Sequence, residues 1–250
     1  MAKNKEITLL YNGAVKLEFD HAKHRYSVDG NSVYGVTTVL KTINKPALMP
    51  WAAKMGAEFF AKNIKAGTVL DELDIDQMAK GIKAAYRQKA DKSANIGTLA
   101  HDWCEQYIVG TSPEVPTNPE LRNIAGAFTD FVSQHEIAVI HTERKLYSRE
   151  LNFAGTADLI AMFDGELAVL DYKTTASGIY NEHFIQLGAY SLAYKEETGK
   201  QPLLHVIVNV NKHGELKVEV NENYLRNEDA FKSVLSLTKH LEDIDRERKQ

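Results

Sequence analysis

Two aspartates and a lysine interrupt an otherwise apolar stretch, GTADLIAMFDGELAVLDYK, running from Gly155 to Lys173. The run reads as two strands, Phe153–Phe163 and Glu166–Tyr172, joined at Asp164-Gly165, a dipeptide that favours two-residue hairpin turns. Asp158 sits on the first strand, and Asp171 and Lys173 sit at the end of the second. Side chains alternate faces along a strand, so Asp171 and Lys173 share one face while Tyr172 takes the other. An unpaired buried charge is costly, so an apolar hairpin bearing three charged groups needs a partner for them. A hard divalent cation between the carboxylates is one answer, since Mg²⁺ takes one or two carboxylates, a carbonyl and several waters. Lys173 would then touch a metal-bound water or a phosphate. The alternative is that one carboxylate simply pairs with Lys173 at the sheet end.

Asp158, followed after twelve intervening residues by Asp171-Tyr172-Lys173, resembles the bipartite D…(D/E)-x-K signature of the PD-(D/E)XK nuclease superfamily. Three further matches stand in the family's order over residues 97–190. Gly97-Thr98-Leu99-Ala100-His101 with Glu105 resembles the upstream G-T-x-x-H motif of the RecB-type branch. Gly155-Thr156-Ala157-Asp158 resembles its G-T-x-D, and Gln186-Leu187-Gly188-Ala189-Tyr190 its Q-x-x-x-Y. Val36-Thr37-Thr38-Val39-Leu40, with Lys45-Pro46-Ala47 and Trp51-Ala52 following, is similar to the N-terminal region of phage and mitochondrial exonucleases of that branch. No proline precedes Asp158, a departure the RecB-type branch often shares.

The resemblance implies roles. Asp158 and Asp171 become metal ligands, with the Tyr172 carbonyl as a third oxygen. Lys173 activates water or stabilises the transition state, and a lysine beside a cation can also turn neutral and accept a proton. His101 becomes a fourth ligand; imidazole suits Mn²⁺ better than Mg²⁺, so either ion is expected, one or two per site. Glu105, one helical turn on, binds a second metal or orients His101, against the plainer reading of a surface carboxylate. Glu143 faces a second metal position or forms a salt bridge with a neighbour such as Lys145. Gln186 and Tyr190 grip the DNA backbone or support Lys173, with Tyr190 as plain helix core the competing view. Thr174 and Thr175 follow the strand and could hydrogen-bond a phosphate. The implied activity is a metal-dependent DNA exonuclease acting on free, single-stranded ends and leaving 5′-phosphates. The alternatives are a structure-selective endonuclease on the same chemistry and a catalytically silent DNA-binding member. DNA is the expected partner, with recombination or replication proteins beside it; oligomeric state is left open.

The elements that must position these groups follow from patterning. Residues 6–11 and 15–20 read as a hairpin about Asn12-Gly13, and 24–28 with 32–40 as a second about Asp29-Gly30. Ala47–Ile64 spaces Trp51, Met55 and Phe59 as a helix that Gly67 caps. Asp74–Ala90 and Ala94–Val109 read as two more helices, and Asn118–His135 as a fourth. Ile137–Tyr147 is the strand before the central hairpin. Tyr180–Thr198 is a helix, Leu203–Asn209 and Leu216–Val220 a hairpin about His213-Gly214, and Leu225–Asp245 the closing helix. The order gives an α/β protein: a restriction-endonuclease-like core of a mixed central β-sheet flanked by helices, with N-terminal hairpins and a helical arch. Residues 1–93 are expected to form a substrate-gripping lobe and 94–250 the nuclease core, in one compact unit.

Composition sets outer bounds. The 250 residues, 44% hydrophobic and 26% charged, suit a folded α/β domain. The net charge of −4 does not announce a nucleic-acid binder, but its distribution is uneven. Residues 1–92 carry 15 Lys+Arg against 10 Asp+Glu, a net +5, and residues 93–250 carry 15 against 24, a net −9. A positive lobe beside an acidic half fits a backbone-gripping arch, with Lys54 and Lys62 as DNA contacts; a solvated lysine face is the plainer reading. Trp51 and Phe59 could stack on bases, though core packing is the commoner role at helical spacing. A single cysteine, Cys104, excludes an internal disulfide. No apolar run is long enough to span a membrane, and MAKNKEITLLYNG lacks a secretory h-region, so a cytoplasmic setting is expected, the host's if phage-encoded. No G-x-x-x-x-G-K-[ST] phosphate loop occurs, so ATP-driven unwinding is not expected.

Overall fold

A computed structural model describes residues 5–43, 45–65 and 67–249. Met1–Asn4 of the stretch read above for a leader lie outside that range. The chain separates into two compact units, Met1–Ile43 with Ala100–Gln250, and Asn44–Leu99. The N-terminal strands therefore group with the sheet, and the lysine-rich helices form a unit of their own.

The first unit is built on a nine-stranded mixed sheet flanked by helices. β1 (Lys5–Leu10), β2 (Val15–Asp20), β3 (Arg25–Val28) and β4 (Asn31–Gly35) run as an antiparallel meander. β5 (Ile137–Ser148), β6 (Phe153–Phe163) and β7 (Glu166–Lys173) follow as an antiparallel set. β4 joins β6 by a short parallel pairing, Tyr34 to Phe153 and Gly35 to Ala154. The predicted β6–β7 turn forms with Asp164 at φ 48° and Gly165 at φ 92°, the positive pair that a tight hairpin of right-handed twist requires. The Asp164 carboxylate also accepts the Glu136 N–H at 2.9 Å, tying the turn to the start of β5.

After β7 the chain crosses through α5 (Asn181–Thr198) to β8 (Leu204–Val210), which pairs parallel to β7; β9 (Leu216–Asn221) closes the edge. α6 (Tyr224–Glu247) packs on α5, and α5 lies against β5, β6, β7 and β8. From the other side of β7, Tyr172 meets Phe128 of α4 (Pro119–Gln134) edge to face at 5.1 Å. The core between α5, α6 and the sheet holds Phe153, Ile160, Val169, Leu187 and Phe231, all essentially inaccessible. Each such side chain contributes roughly 1.5–3 kcal/mol by leaving water.

Three local expectations give way. Val36–Leu40 is not the end of a strand but a short helix, α1. Its β-branched residues favour strand locally, yet the helix buries Val36, Val39 and Leu40 together, and tertiary burial wins over weak propensity. The two helices expected over 74–109 are one, α3 (Glu72–Ile108), because neither glycine nor proline interrupts Asp91-Lys92-Ser93. α2 (Leu48–Asn63) ends at Ile64, so Gly67, at φ 84°, turns the following loop rather than capping the helix.

Within the Asn44–Leu99 unit, α2 meets α3 through glycines. A Cβ on Gly81 would stand 2.3 Å from the Phe59 ring, and one on Gly56 would stand 3.0 Å from Ile82. Phe59 is thus a packing residue. Trp51 lies half-buried, 6.3 Å from Tyr86. Lys54 pairs with Glu58 at 3.8 Å on the exposed face of α2, and Lys62 is exposed in its last turn.

Candidate active site

The strand register places three carboxylates in one row. The β6–β7 ladder ends at Leu159 and Leu170, so its continuation sets Asp158 opposite Asp171. On the other side Thr142 pairs with Leu159 and Arg144 with Ala157, which sets Glu143 opposite Asp158. Neighbours in a register row share a face, so Glu143, Asp158 and Asp171 form an acidic line across three strands. Glu143 reaches this position at φ 44°, a left-handed conformation that a non-glycine residue adopts at a cost of order 1 kcal/mol. His101, one residue into the first unit on α3, brings Nδ1 to 3.4 Å from Asp158 Oδ2. One ligand atom each from His101, Glu143 and Asp158 lie within 4.8 Å of one another.

Asp171 is handled differently. It is 1% exposed and its carboxylate pairs with the Lys173 ammonium. Lys173 also lies 3.4 Å from Gln186 Oε1, and Gln186 Nε2 donates to the Tyr190 hydroxyl at 2.8 Å. The Q-x-x-x-Y pair, one turn apart on α5, therefore forms a chain of contacts ending on Lys173. Tyr190 is also core: a Cβ on Gly155 would stand 2.6 Å from its ring and 2.9 Å from Val36. Only glycine fits where the ring crosses β6, which gives the first residue of the G-T-A-D segment its physical reason. The threonine has one too, as its hydroxyl bonds the Tyr26 hydroxyl at 2.7 Å and ties β3 to the acidic strand. The Asp158 carboxylate accepts the Tyr172 N–H at 2.9 Å.

Electrostatics follow from this crowding. Burial, then the Asp171 charge, hold the Asp158 carboxyl well above its ordinary range, against the opposing pull of Lys173 and the Tyr172 N–H. Partial desolvation also raises Glu143, with Lys145 opposing and Glu105 adding. Burial lowers His101, leaving the neutral imidazole that can act as a ligand. Burial alone would lower Lys173, but Asp171 and Asp158 outweigh it and its pKa rises. The adjacent carboxylates favour the ammonium form of this lysine, the form suited to stabilising charge on a phosphate. The donor set of two carboxylates and a neutral imidazole, with the Asp171 carboxylate beside it, fits a divalent cation.

Several expected residues sit elsewhere. Glu105 accepts the Thr142 hydroxyl at 3.0 Å rather than orienting His101. The bridge suggested between Glu143 and Lys145 is absent among the described contacts, since Lys145 pairs with Glu6 at 3.4 Å. The Thr175 hydroxyl is committed to the Gly178 carbonyl at 2.8 Å and its N–H to Asn209 at 2.9 Å, so it is not free for a phosphate. Thr174 is half-buried beside it. Asp171 matches the pairing alternative, its charge met by Lys173. The cleft, about 340 Å³, also takes in Phe19, His21, His24, Tyr26 and Lys145. These were missed, although two histidines three apart in a hairpin were a visible signal.

The family model of the PD-(D/E)XK nuclease superfamily matches residues 121–249, a span that holds Asp158, Asp171, Lys173, Gln186 and Tyr190 and begins after His101. No curated protein matches the sequence. Among solved structures, the alkaline exonuclease from Laribacter hongkongensis is similar over 87% of this chain and 95% of its own, at 10% identity and a TM-score of 0.34. The structure of SSO0001 is similar over 74% of this chain and 85% of its own, at 13% identity and a TM-score of 0.29.

Proposed function

This chain belongs to the PD-(D/E)XK nuclease superfamily, and from that premise we propose that it is a metal-dependent DNA exonuclease working on free, single-stranded ends. The observation that carries the reading is the meeting, in one cleft, of the His101–Glu143–Asp158 donor group with an ammonium supported by Asp171 and Gln186. A bound Mg²⁺ or Mn²⁺ would supply Lewis acidity and a nucleophilic water at neutral pH.

The chain's own residues do the rest. His101, Glu143 and Asp158 would hold the cation, with the Tyr172 carbonyl within the same segment. Asp171 keeps Lys173 protonated, and Gln186 steers it. The ammonium is thereby positioned to offset the negative charge that grows on the phosphate oxygens, the kind of fixed electrostatic help that dominates such reactions. Tyr190 fixes Gln186 and is itself fixed against Gly155. The products are a 5′-phosphate and a 3′-hydroxyl. The helices of the Asn44–Leu99 unit, with Lys54 and Lys62, would supply phosphate contacts, and a role beside recombination or replication proteins suits such an enzyme.

The test compares linear with covalently closed circular single-stranded DNA, in EDTA and then with Mg²⁺, Mn²⁺ or Ca²⁺ added back. The expected result is degradation of linear strands only, restored by Mg²⁺ or Mn²⁺, with Ca²⁺ supporting binding alone. Equal degradation of circles would replace the exonuclease by an endonuclease, and cleavage in EDTA would overturn the metal-dependent mechanism.

A further inference from the structure

We propose that the β2–β3 hairpin is a stacking wall that holds an unpaired nucleobase beside the scissile phosphate. The inference rests on the nuclease reading and adds what the site grips. The hairpin lines the same cleft as Asp158, Asp171 and Lys173, so whatever enters for cleavage lies against it.

The rings are arranged in two tiers. Phe19 is buried and forms the floor, with Tyr26 tilted against it at 4.6 Å. His21 and His24 are exposed and stand nearly perpendicular to Phe19, at 4.9 and 5.2 Å. One edge-to-face contact uses at most one face of an imidazole, so each histidine keeps a flat face open to the solvent side of the cleft. Packing of the hairpin needs Phe19 but not two solvent-facing rings on top of it.

Charge completes the wall. Lys145 lies 5.8 Å from the Phe19 centroid, and Glu6 links it to His21 at 3.4 and 3.3 Å. That network fixes the Lys145 ammonium and the His21 ring on the hairpin side of the cleft, where a backbone phosphate would pass. The Tyr26–Thr156 hydrogen bond locks the wall to the strand carrying Asp158. A second groove, about 370 Å³, starts from the same His24 and Tyr26 and runs past Arg25, Tyr34 and Arg246. Rings interleaved with basic groups along a groove suit a single strand, whose splayed bases offer free faces; a base inside a duplex is already covered by its neighbours.

The experiment follows binding of a single-stranded oligonucleotide with 2-aminopurine next to the cleavage position, in Ca²⁺, beside a strand abasic at that position. His21→Ala/His24→Asn removes both rings, and asparagine tolerates the φ of 51° at position 24. The variant should lose affinity for the intact strand by about tenfold or more and leave 2-aminopurine unquenched. On the abasic strand variant and wild type should bind alike, and His21→Phe, which keeps a ring, should bind the intact strand as wild type does. An equal loss on intact and abasic strands, or no loss on either, overturns the wall. If the wild type quenches 2-aminopurine but cleaves nothing with any metal, the nuclease reading fails and the wall stands. If the wild type cleaves and the variant quenches equally, the reverse holds.

Discussion

The β6–β7 hairpin and the Asn44–Leu99 helices are both studded with charge, and they treat it in opposite ways. In the hairpin, Asp158 and Asp171 lie opposite each other on buried strands and depend on named partners, the Tyr172 N–H, His101 and Lys173. In the helices, Lys54 and Glu58 face water, 71% and 54% exposed, in a pair worth about 0.2–1 kcal/mol. Counting lysines therefore does not locate the row of buried carboxylates. What identifies the site is charge kept where solvation is poor, because that arrangement costs stability unless it serves a ligand.

The sharpest way to break this contrast is Asp158→Asn. Turnover should fall about 10³-fold and Mn²⁺ affinity, by calorimetry, should drop with it, while the metal-free protein melts higher at pH 7. The sign follows from the raised folded pKa: the native state binds the proton more tightly than the unfolded chain, so the ionised group costs stability as pH rises above the ordinary carboxylate range. The gain over wild type should grow from pH 4 to 7; a flat difference would mean the row of acids is not under strain.

Lys173→Met should cost about 10²–10³-fold in turnover. It should also cost about 3–5 kcal/mol in chemical unfolding, because Asp171 is left buried without its ammonium. Lys173→Met/Asp171→Leu should recover the stability and none of the activity. A single variant as stable as wild type would show that the pair does not hold the strand end.

A buried titratable group elsewhere in the sheet sharpens the comparison. His205 on β8 is inaccessible, accepts a hydrogen bond from Asn227 at 2.9 Å, and has no partner for Nε2 among the described residues. Burial lowers its pKa to about 4, so the unfolded chain binds a proton first as pH falls. Stability should be intact above pH 6.5 and decline by on the order of 3 kcal/mol toward pH 4. Unfolding curves across that window, compared with His205→Gln, would show it; an equal slope in both removes His205 as the cause.

The smallest effect belongs to the helices. Gly81→Ala puts a methyl group 2.3 Å from the Phe59 ring and should destabilise that unit by about 1–3 kcal/mol. Hydrogen exchange in α2 should rise while exchange in β6 and β7 does not. Faster exchange in all three would show that the two regions unfold together.

Much of this was legible in the sequence where a local rule has no competitor. Asp164-Gly165 admits few conformations other than a tight turn, and that turn fixes which residues of β6 and β7 stand opposite. Legibility ends where a tertiary contact decides. Val36–Leu40 reads as strand until its three apolar side chains find a common buried side, and Thr175 reads as a phosphate contact until Asn209 and Gly178 claim it. Glu143 was identifiable as a nearby acid. Its place in the row depends on the β5 register, which shifts between Val139 and His141 and leaves no trace in local patterning.

Glu143 also has a consequence for anyone engineering this protein. At φ 44° a glycine or asparagine would rest more comfortably than glutamate. Selection for heat resistance alone would be drawn to position 143, and each hardier clone it returned would lack the carboxylate to which we assign a metal-donor role, a loss that a thermal screen does not register.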